Sequence, residues 1–289
     1  MSDTLIRKNI LVVFDAIHRQ DTTGTHALRA LRHMGHNACH YMPMLRQENS
    51  YVAKNYSDLP LDGMEFMLCV DDDFNYPVPQ ANLPGFYWCI DTHRMNALVG
   101  GGSRYDRIRQ FDKVFLAQKD RADEVGGVWL PLAYDPRMYS SQPLTKTYDW
   151  SFIGNLSPKR IEFFNQLRSV FPNAFVGNAY TEEANRIYNQ SRITLNLTYS
   201  NDVNMRFFES QATSAVLLSN RVNNGEEQLF SHVCWFDNFD DCVEQMRALL
   251  SNDELCQQVA RSQSDEMAMH TYQARMTKLL AALEDRHSI

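Results

Sequence analysis

The sequence has no apolar run long enough to cross a bilayer as a helix, because charged residues interrupt its longest hydrophobic stretches. Its N-terminus lacks the basic region and apolar core of a secretory signal. Six cysteines are scattered without a C-x-x-C pair, and these and nine histidines show no spacing typical of zinc. We therefore expect a cytoplasmic protein with reduced thiols, no membrane insertion and no metal cofactor.

Three common catalytic fingerprints are also missing: G-x-S-x-G, the P-loop and a complete G-x-G-x-x-G. What remains is the composition of a globular protein, with 44% hydrophobic and 22% charged residues over 289 positions. That length is sufficient for two domains, each with its own core.

The net charge of −7 is unevenly distributed. Residues 222–270 carry ten acidic side chains against two arginines, whereas residues 92–121 have a net charge of +4. The overall acidity argues against a general nucleic-acid binder, but the local basic segment is compatible with an anionic ligand.

Short apolar runs alternate with a helical pattern in the first half of the chain. Asn9–Phe14 and Ala38–Met42 are typical of buried strands, and the apolar positions from Thr25 to Met34 follow helical spacing. Strand, helix, strand is the βαβ unit of a doubly wound sheet. Further strand-like runs lie at residues 66–70, 85–90, 113–117 and 129–133.

The segment Tyr139–Tyr148 is polar and aperiodic, so it is the best candidate for a linker. We predict an α/β protein of two Rossmann-like domains, residues 1–140 and 148–265, with parallel sheets facing across a cleft. Residues 266–289 are expected to hold a final helix that packs back on the first domain. The second series of strands is predicted at residues 150–154, 174–177, 193–197, 216–219 and 233–236.

A cation and a carboxylate, Arg206 and Glu209, lie three residues apart at the predicted start of a helix. This helix follows the strand that ends at Leu197, and ligands of open α/β sheets bind beyond the carboxyl ends of the strands. Arg206 can neutralise a diphosphate there, and Glu209 can accept hydrogen bonds from two ribose hydroxyls. The alternative is a surface salt bridge worth roughly a few tenths of a kcal/mol.

The order of these residues resembles the C-terminal half of GT-B glycosyltransferases, in particular the CgeB/YkvP-like group. The resemblance covers roughly residues 149–280 and implies that Glu209 binds the nucleotide ribose and that Arg206 lies near the diphosphate. It also implies a nucleotide sugar as co-substrate and no metal, since GT-B enzymes generally use cationic side chains instead. The matching positions are Asn196, Asn204-x-Arg206-x-x-Glu209, Asn224–Glu227, Trp235–Phe236 and His270-Thr271-Tyr272-x-x-Arg275.

Two positions depart from that pattern. Many retaining GT-B enzymes carry another glutamate eight residues before the ribose-binding one, where this sequence has Asn201. The small-residue turn after the helix is Thr213-Ser214, without glycine. These departures leave the donor sugar and the stereochemistry open, and they motivate a non-catalytic binding or structural protein as the main alternative.

A second candidate for donor binding follows the first strand of the second domain. Gly154-Asn155 ends that strand, and Ser157-Pro158 is typical of a helix start with Lys159-Arg160 in its first turn. Backbone N–H groups and two cations suit a phosphate, although a solvated helix start has the same composition. GT-B enzymes place a similar glycine and basic residue opposite the donor diphosphate, and Gly177-Asn178 resembles the loop that meets the nucleobase.

Candidate groups for the acceptor follow strands of the first domain. Asp91 and His93 come just past one strand, and either can deprotonate an acceptor hydroxyl after a modest pKa shift. The alternative is that Asp91 caps the following turn and His93 is merely exposed. Asp15 with His18, after the first strand, is the rival pair.

Two further segments of the first domain carry weaker signals. Asp71-Asp72-Asp73 contains the D-x-D pattern that holds a divalent cation in GT-A glycosyltransferases, but we expect a solvated acidic loop because the donor signature is elsewhere. Gly100–Gly102 is expected to form a mobile loop. Arg94 and Arg104 beside it are candidates for a lid over an anionic acceptor, with a disordered surface loop as the alternative.

The sequence therefore predicts an enzyme that transfers a hexosyl or pentosyl group from a nucleotide sugar to a hydroxyl. Asp91 or His93 serves the acceptor, and Arg206 stabilises the leaving diphosphate. The acceptor is undetermined and could be a carbohydrate, a protein, a small molecule or DNA. A phage-type DNA glycosyltransferase, which acts on flipped hydroxymethylated bases, keeps the enzyme class and changes the acceptor.

Overall fold

The computed structural model describes residues 7–16, 21–47, 50–54, 61–71, 73–78, 83–198 and 200–284. It divides into two compact units, the first comprising Met1–Leu132 with Tyr272–Ile289 and the second Ala133–Thr271. The first unit thus ends eight residues before the predicted boundary at residue 140, and the chain returns to it at Tyr272 rather than at residue 266.

The strands of the described part, in chain order, are β1 (Asn9–Val13), β2 (Asn37–Tyr41), β3 (Met44–Gln47), β4 (Ser50–Ala53), β5 (Phe66–Val70), β6 (Gly85–Cys89), β7 (Lys113–Leu116), β8 (Val128–Trp129), β9 (Tyr148–Ile153), β10 (Ala174–Gly177), β11 (Ser191–Asn196), β12 (Val216–Asn220) and β13 (Cys234–Phe236). The α-helices are α1 (Thr23–His33), α2 (Arg104–Ile108), α3 (Lys119–Val125), α4 (Pro158–Val170), α5 (Thr181–Gln190), α6 (Arg206–Gln211), α7 (Phe239–Ser251), α8 (Asp253–Glu266) and α9 (Tyr272–Glu284). Within these ranges, no helix is both long and apolar enough to cross a membrane.

The first unit contains a six-stranded sheet in the order β2-β1-β5-β6-β7-β8, with every neighbouring pair parallel. β5 and β6 are buried along their whole length, as expected for parallel strands covered on both faces. The predicted strand at residues 129–133 is only the two-residue β8. An antiparallel hairpin of β3 and β4, which the sequence pattern did not predict, forms a separate sheet.

Helix α9 belongs to the first unit and packs against α1. The ring of Tyr272 stacks on His26 with centroids 4.9 Å apart, and Arg275 Nε donates to the carbonyl of Pro131 at 2.8 Å. Burial lowers the pKa of Arg275 to about 10. The single helix predicted from residue 266 is wrong in extent: α8 runs to Glu266, a 3-10 turn follows, and α9 begins at Tyr272.

The second unit contains a five-stranded, wholly parallel sheet in the order β10-β9-β11-β12-β13. Its core is formed by large apolar side chains from β9, β11, β12, α4 and α7, including Trp150, Phe152, Phe164, Leu218 and Met246. The in-register parallel pairing brings the last residues of the strands to one carboxyl edge, where Gly177 pairs with Ile153 and Asn196 with Ser219.

The six cysteines, all in the described part of the chain, form no disulfide. Cys69, Cys89, Cys242 and Cys256 are buried, whereas Cys39 and Cys234 are partly exposed. Burial raises the pKa of the Cys242 thiol to about 12, so this side chain stays protonated and behaves as a small apolar group.

Candidate functional site

Arg206 lies at the carboxyl edge of the second sheet, where it starts α6 as the sequence predicted. Its Nε donates to the carbonyl of Ile153 at 2.7 Å, and its Nη1 donates to Oδ1 of Asn196 at 2.5 Å. The guanidinium also lies over the ring of Phe152, with Cζ 4.5 Å from the centroid. Two adjacent strands, β9 and β11, therefore fix the position of this cation.

Asn196 is completely buried and acts as an organising residue for this edge. Its Nδ2 donates to Oγ of Ser219 at 3.1 Å, which leaves Oδ1 free to accept from both Arg206 and Nδ2 of Asn204. Asn204 in turn accepts from the backbone N–H of Arg206 at 3.1 Å. The three predicted residues Asn196, Asn204 and Arg206 are thus brought together in one hydrogen-bonded group.

Gly154 is required by the position of Arg206. A Cβ at residue 154 would lie 2.3 Å from Nη2 of Arg206, and the φ angle of +151° is also rare for residues with side chains. The N–H of Gly154 donates to the carbonyl of Gly177 at 2.9 Å, so the predicted turns after β9 and β10 lie side by side. Asn178, the next residue, is exposed.

Among the described residues, no carboxylate forms an ion pair with Arg206, whose direct acceptors are neutral. Burial lowers its pKa, and Tyr188, Glu209 and Asp202 partly offset that effect. A guanidinium stays protonated at physiological pH. The site therefore holds a partly buried guanidinium that neutral acceptors orient, without a directly bound carboxylate among the described residues.

Glu209 is half-buried and lies one turn after Arg206 in α6. Its charge acts on both Arg206 and the buried hydroxyl of Tyr188, which contacts the guanidinium. Burial, followed by Glu209, raises the pKa of Tyr188. Sequence reasoning missed Tyr188, because a tyrosine on the apolar face of α5 has the pattern of an ordinary core residue.

A second guanidinium, that of Arg160, lies near the same aromatic ring. Its Cζ is 5.3 Å from the centroid of Phe152, its Nε donates to the carbonyl of Leu197 at 2.8 Å, and its Nη1 donates to the carbonyl of Asn155 at 2.9 Å. Ser157 accepts from the backbone N–H of Arg160, which confirms the predicted N-cap with Pro158 at the first helical position. Lys159 is exposed.

The loop between β11 and α6 is tied to the end of β12. The N–H of Thr198 donates to Oδ1 of Asn220 at 2.9 Å, and Nδ2 of Asn220 donates to the carbonyl of Thr198 at 3.0 Å. Beyond β12, the buried carboxylate of Glu226 accepts from the backbone N–H groups of residues 222, 223 and 224. Burial raises the pKa of Glu226, but these hydrogen bonds lower it more, so its carboxylate stabilises the turn that was matched to the family pattern.

In the first unit, Asp91 follows β6 and precedes a 3-10 turn at Thr92–Arg94. Asp91 is half-buried and its side chain makes no capping hydrogen bond to that turn, contrary to the alternative interpretation. Its backbone N–H donates to Oδ2 of Asp71 at 3.1 Å. His93 is exposed.

The predictions for Asp71 and Arg104 are wrong. Asp71 does not lie in a solvated loop, and Arg104 does not offer its charge to an acceptor, because both side chains are completely buried and Arg104 Nε is 2.6 Å from Asp71 Oδ2. Arg104 also pairs with Asp73. Burial lowers the pKa of Arg104, but its acidic neighbours, Asp71 foremost, raise it overall. Arg94 is exposed and pairs with Asp73 at 3.2 Å.

The three consecutive glycines, Gly100–Gly102, are connected by a backbone hydrogen bond to the segment that precedes them. Gly100, Gly101 and Gly102 all have positive φ angles, and the carbonyl of Gly102 accepts from the N–H of Leu98 at 3.2 Å. Three other cations of the basic segment form local ion pairs: Arg109 with Asp106, Lys119 with Asp123 and Arg121 with Glu124. Arg107 is buried, with its guanidinium over the ring of Tyr76.

The rival acceptor pair is only partly covered by the structure. Asp15 is buried at the end of β1, whereas His18 lies outside the described residues. His40, which sequence reasoning missed, stacks on Phe14 with ring centroids 3.9 Å apart. Burial lowers the pKa of His40, with Asp15 among the groups that raise it. In the described parts of the chain, no group of three or more His, Cys, Asp or Glu residues could hold a metal ion.

Residues 145–281 match the model of a family described as glycosyl transferase-like. A search of curated proteins finds no match. In structure, the chain is similar to sucrose-phosphate synthase from Thermosynechococcus elongatus, with a TM-score of 0.63 and 9% identity over 98% of this chain and 100% of that chain.

Two glucosyltransferases are similar to nearly the same extent. T4 phage BGT, a beta-glucosyltransferase solved with UDP-glucose, has a TM-score of 0.58 and 14% identity over 97% of this chain and 99% of that chain. An alpha-glucosyltransferase solved with UDP and DNA containing an HMU base has a TM-score of 0.60 and 12% identity over 92% of this chain and 96% of that chain.

At these identities the structural similarity establishes the fold, which is the GT-B fold of two parallel α/β sheets. The family match identifies residues 145–281 as a glycosyl transferase-like domain. The chain thus has the GT-B fold, and its residues 145–281 match the glycosyl transferase-like family.

Proposed function

We propose that the protein transfers a sugar from a nucleoside-diphosphate sugar and that the carboxyl edge of its second sheet binds the donor. The observation that carries this proposal is the environment of Arg206. Its guanidinium is held by the carbonyl of Ile153, the amide of Asn196 and the ring of Phe152, none of which cancels its charge. A diphosphate supplies the anion that this arrangement lacks.

The remaining donor contacts follow from the same edge. Arg160 is the second cation for the diphosphate, since it also faces Phe152, and Lys159 can reach the outer phosphate oxygens. Gly154-Asn155 supplies backbone close to the phosphates. Glu209 accepts from the ribose hydroxyls, and Gly177-Asn178 faces the nucleobase because it ends the neighbouring strand β10.

The reaction that this site can accelerate is departure of the nucleoside diphosphate. As the bond from the anomeric carbon to the diphosphate oxygen breaks, negative charge grows on that oxygen, and a preoriented guanidinium stabilises it without reorganising. Asp91 is the proposed base for the acceptor hydroxyl, with His93 as the second candidate. We assign no metal to the reaction, because Arg206 and Arg160 supply the positive charge at the diphosphate.

The proposal that the reaction needs no metal ion has a direct test. T4 phage BGT, a protein of similar fold, has been solved in complex with UDP and Mn2+. For this protein we expect UDP affinity in calorimetry to change less than about twofold between buffer with EDTA and buffer with Mn2+. A strict requirement for Mn2+ would overturn the assignment.

The similarity to two enzymes solved with UDP, one of them bound to DNA, makes HMU-containing DNA one acceptor to test. The ion pairs of Arg94, Arg109, Lys119 and Arg121 do not favour it, because a cation paired with a carboxylate contributes less to the binding of duplex phosphates. We therefore keep the acceptor class open. Transfer to HMU-containing duplex, but not to the same duplex with thymine, would establish the DNA acceptor.

The donor assignment is tested by a thermal-shift screen of the purified protein against UDP, GDP, ADP, CDP and TDP sugars. A ligand that binds only the native state raises the melting temperature by mass action. We expect the sugars of one nucleotide class to raise the melting temperature. We also expect the protein to hydrolyse that donor slowly when no acceptor is present. Binding without any hydrolysis or transfer would support the non-catalytic alternative, and absence of binding to all five would contradict the proposal.

A further inference from the structure

The first unit contains a completely buried ion pair that the proposed chemistry does not use. Arg104 Nε lies 2.6 Å from Asp71 Oδ2, and neither side chain is exposed to solvent. The same Arg104 pairs through Nη2 with Asp73. A buried ion pair is weak evidence for stability, because desolvation of both charges offsets most of their attraction. Its contacts with neighbouring backbone suggest another role.

Apart from a contact of Cys89 Sγ with Asp71 Oδ2 at 3.9 Å, the other side-chain hydrogen bonds of this pair within the described part of the chain are with residues 90–97, the segment that carries Asp91. Oδ2 of Asp71 accepts from the backbone N–H of Ile90 at 3.3 Å and of Asp91 at 3.1 Å. Nη1 of Arg104 donates to the carbonyls of Arg94 at 2.9 Å and Ala97 at 2.7 Å. The carboxylate therefore holds the start of the segment and the guanidinium holds its end.

The planar guanidinium is suited to this task. It donates in several fixed directions at once, so it can join two carboxylates and two carbonyls in one geometry, which the point charge of a lysine cannot do. An apolar pair of similar volume could fill the same space, but it would leave the N–H of Asp91 and the carbonyls of Arg94 and Ala97 without these partners.

We propose that Arg104 and Asp71 are positioning residues for the proposed transfer reaction, which fix the backbone of residues 90–97 and thereby the carboxylate of Asp91. This inference rests on the proposed function. In that reaction Asp91 takes the proton of the acceptor hydroxyl, the acceptor oxygen bonds to the anomeric carbon, and the diphosphate leaves with the electrons of the broken bond. Neither Arg104 nor Asp71 touches a substrate.

The first test uses Arg104→Lys, which keeps the charge beside Asp71 but loses the fork of donors. Arg109→Lys is the matched control, since Arg109 immediately follows the same short helix with its side chain 76% exposed. We expect kcat for release of the nucleoside diphosphate from the hydrolysed donor, with the donor that the thermal-shift screen identifies, to fall about 10- to 100-fold in Arg104→Lys, with KM for the donor unchanged. Arg109→Lys should match the wild type.

A double-mutant cycle then asks whether Arg104 acts through Asp91. If it does, Arg104→Lys lowers turnover in the wild type but not in an Asp91→Asn background, where the positioned group is already lost. Multiplicative effects of the two substitutions would overturn the proposal. A lower melting temperature with unchanged kcat per folded molecule would also overturn it, because that is the signature of a purely structural pair.

The second test needs no catalysis. Hydrogen exchange should show the amides of Ile90 and Asp91 exchanging at least about tenfold faster in Arg104→Lys than in the wild type or Arg109→Lys, while strand amides of β1 and β5 keep their protection. Unchanged exchange at Ile90 and Asp91 would refute the positioning role. A protein that binds no nucleotide would refute the proposed function instead, so the two failures are distinguishable.

Discussion

Arg206 in the second unit and Arg104 in the first are both largely removed from water, but their partners differ in charge. The direct acceptors of Arg206 are a carbonyl and an amide, whereas Arg104 contacts two carboxylates, Asp71 and Asp73. The pKa values respond in opposite directions. Burial lowers the pKa of Arg206, but at Arg104 the acidic neighbours, Asp71 foremost, more than offset burial and raise it.

An arginine that can bind a ligand therefore differs from an arginine whose charge is already paired within the fold. Neutral acceptors fix the direction of a guanidinium and leave its charge to act on an incoming anion. Carboxylates fix the direction and also cancel the charge. Arg104 is therefore expected to affect stability and positioning, and Arg206 to affect nucleotide affinity.

The largest effect is expected on the free energy of unfolding when Arg104, which is paired with carboxylates, is replaced. Arg104→Met leaves Asp71 as an uncompensated buried carboxylate, so we expect the free energy of unfolding to fall by about 3–5 kcal/mol. Urea denaturation measures this, with the exposed Arg109→Met as control. The double variant Arg104→Met/Asp71→Leu should recover only part of the loss, because it removes the buried charge but leaves the N–H of Asp91 and the carbonyls of Arg94 and Ala97 without these partners. A double variant as unstable as Arg104→Met would contradict this account of the pair.

The next largest effect is expected on nucleotide affinity when Arg206 is replaced. Arg206→Met removes the proposed diphosphate contact, so we expect the binding free energy of the nucleoside diphosphate that the thermal-shift screen identifies to weaken by about 2 kcal/mol or more, which is roughly 30-fold in Kd. Calorimetry gives the affinity, and Arg168→Met, an exposed arginine of α4, serves as control. Wild-type affinity in folded Arg206→Met would refute the donor site.

A smaller effect is expected for Gly154→Ala. The added Cβ would come within 2.3 Å of Nη2 of Arg206, so the guanidinium must move from its observed position. We expect the same nucleoside diphosphate to bind about tenfold more weakly, which is a loss of about 1.4 kcal/mol in binding free energy. Gly126→Ala is the control for backbone strain alone, because Gly126 has a φ of +66° with no atom within 4 Å of its Cβ position. Equal losses of affinity in both variants would contradict the steric explanation.

The smallest expected effect is a change in acid sensitivity. Burial raises the pKa of Asp71, but Arg104 outweighs it and the pKa is lowered overall. A carboxyl whose pKa is lower in the folded state stabilises the protein above its unfolded pKa, and this stabilisation is lost as the pH falls through the folded value. The window therefore lies below about pH 4. Asp71→Asn should flatten the fall in unfolding free energy there, whereas Arg206→Met should leave its slope unchanged.

Much of the fold could be predicted because the strands are continuous apolar runs with clear ends. β5 and β10 have the predicted bounds, and Ser157-Pro158 starts α4 by a capping pattern that is local in sequence. The hairpin of β3 and β4 was missed because its residues show no such run. Boundaries that depend on tertiary packing, such as the break before α9, have no comparable local signal.

In the candidate site, too, residues with a local sequence signal could be predicted and residues placed by tertiary packing could not. Asn196, Asn204 and Arg206 could be named from a sequence pattern, and the structure brings them into one hydrogen-bonded group. Tyr188 could not be named, because its contact with Arg206 depends on how α5 packs beside α6. The role of Arg104 was mistaken for a related reason: composition counts its charge but not the carboxylate that a distant strand places against it.

Phe152 gives the proposed donor site an electrostatic property of its own. One ring lies within 5.3 Å of two guanidinium groups, those of Arg160 and Arg206, which repel each other. A polyvalent anion entering between them relieves that repulsion before any sugar or base is recognised. Inorganic pyrophosphate alone should therefore protect the second unit against heat, while sodium chloride at equal ionic strength should only screen the two cations from each other.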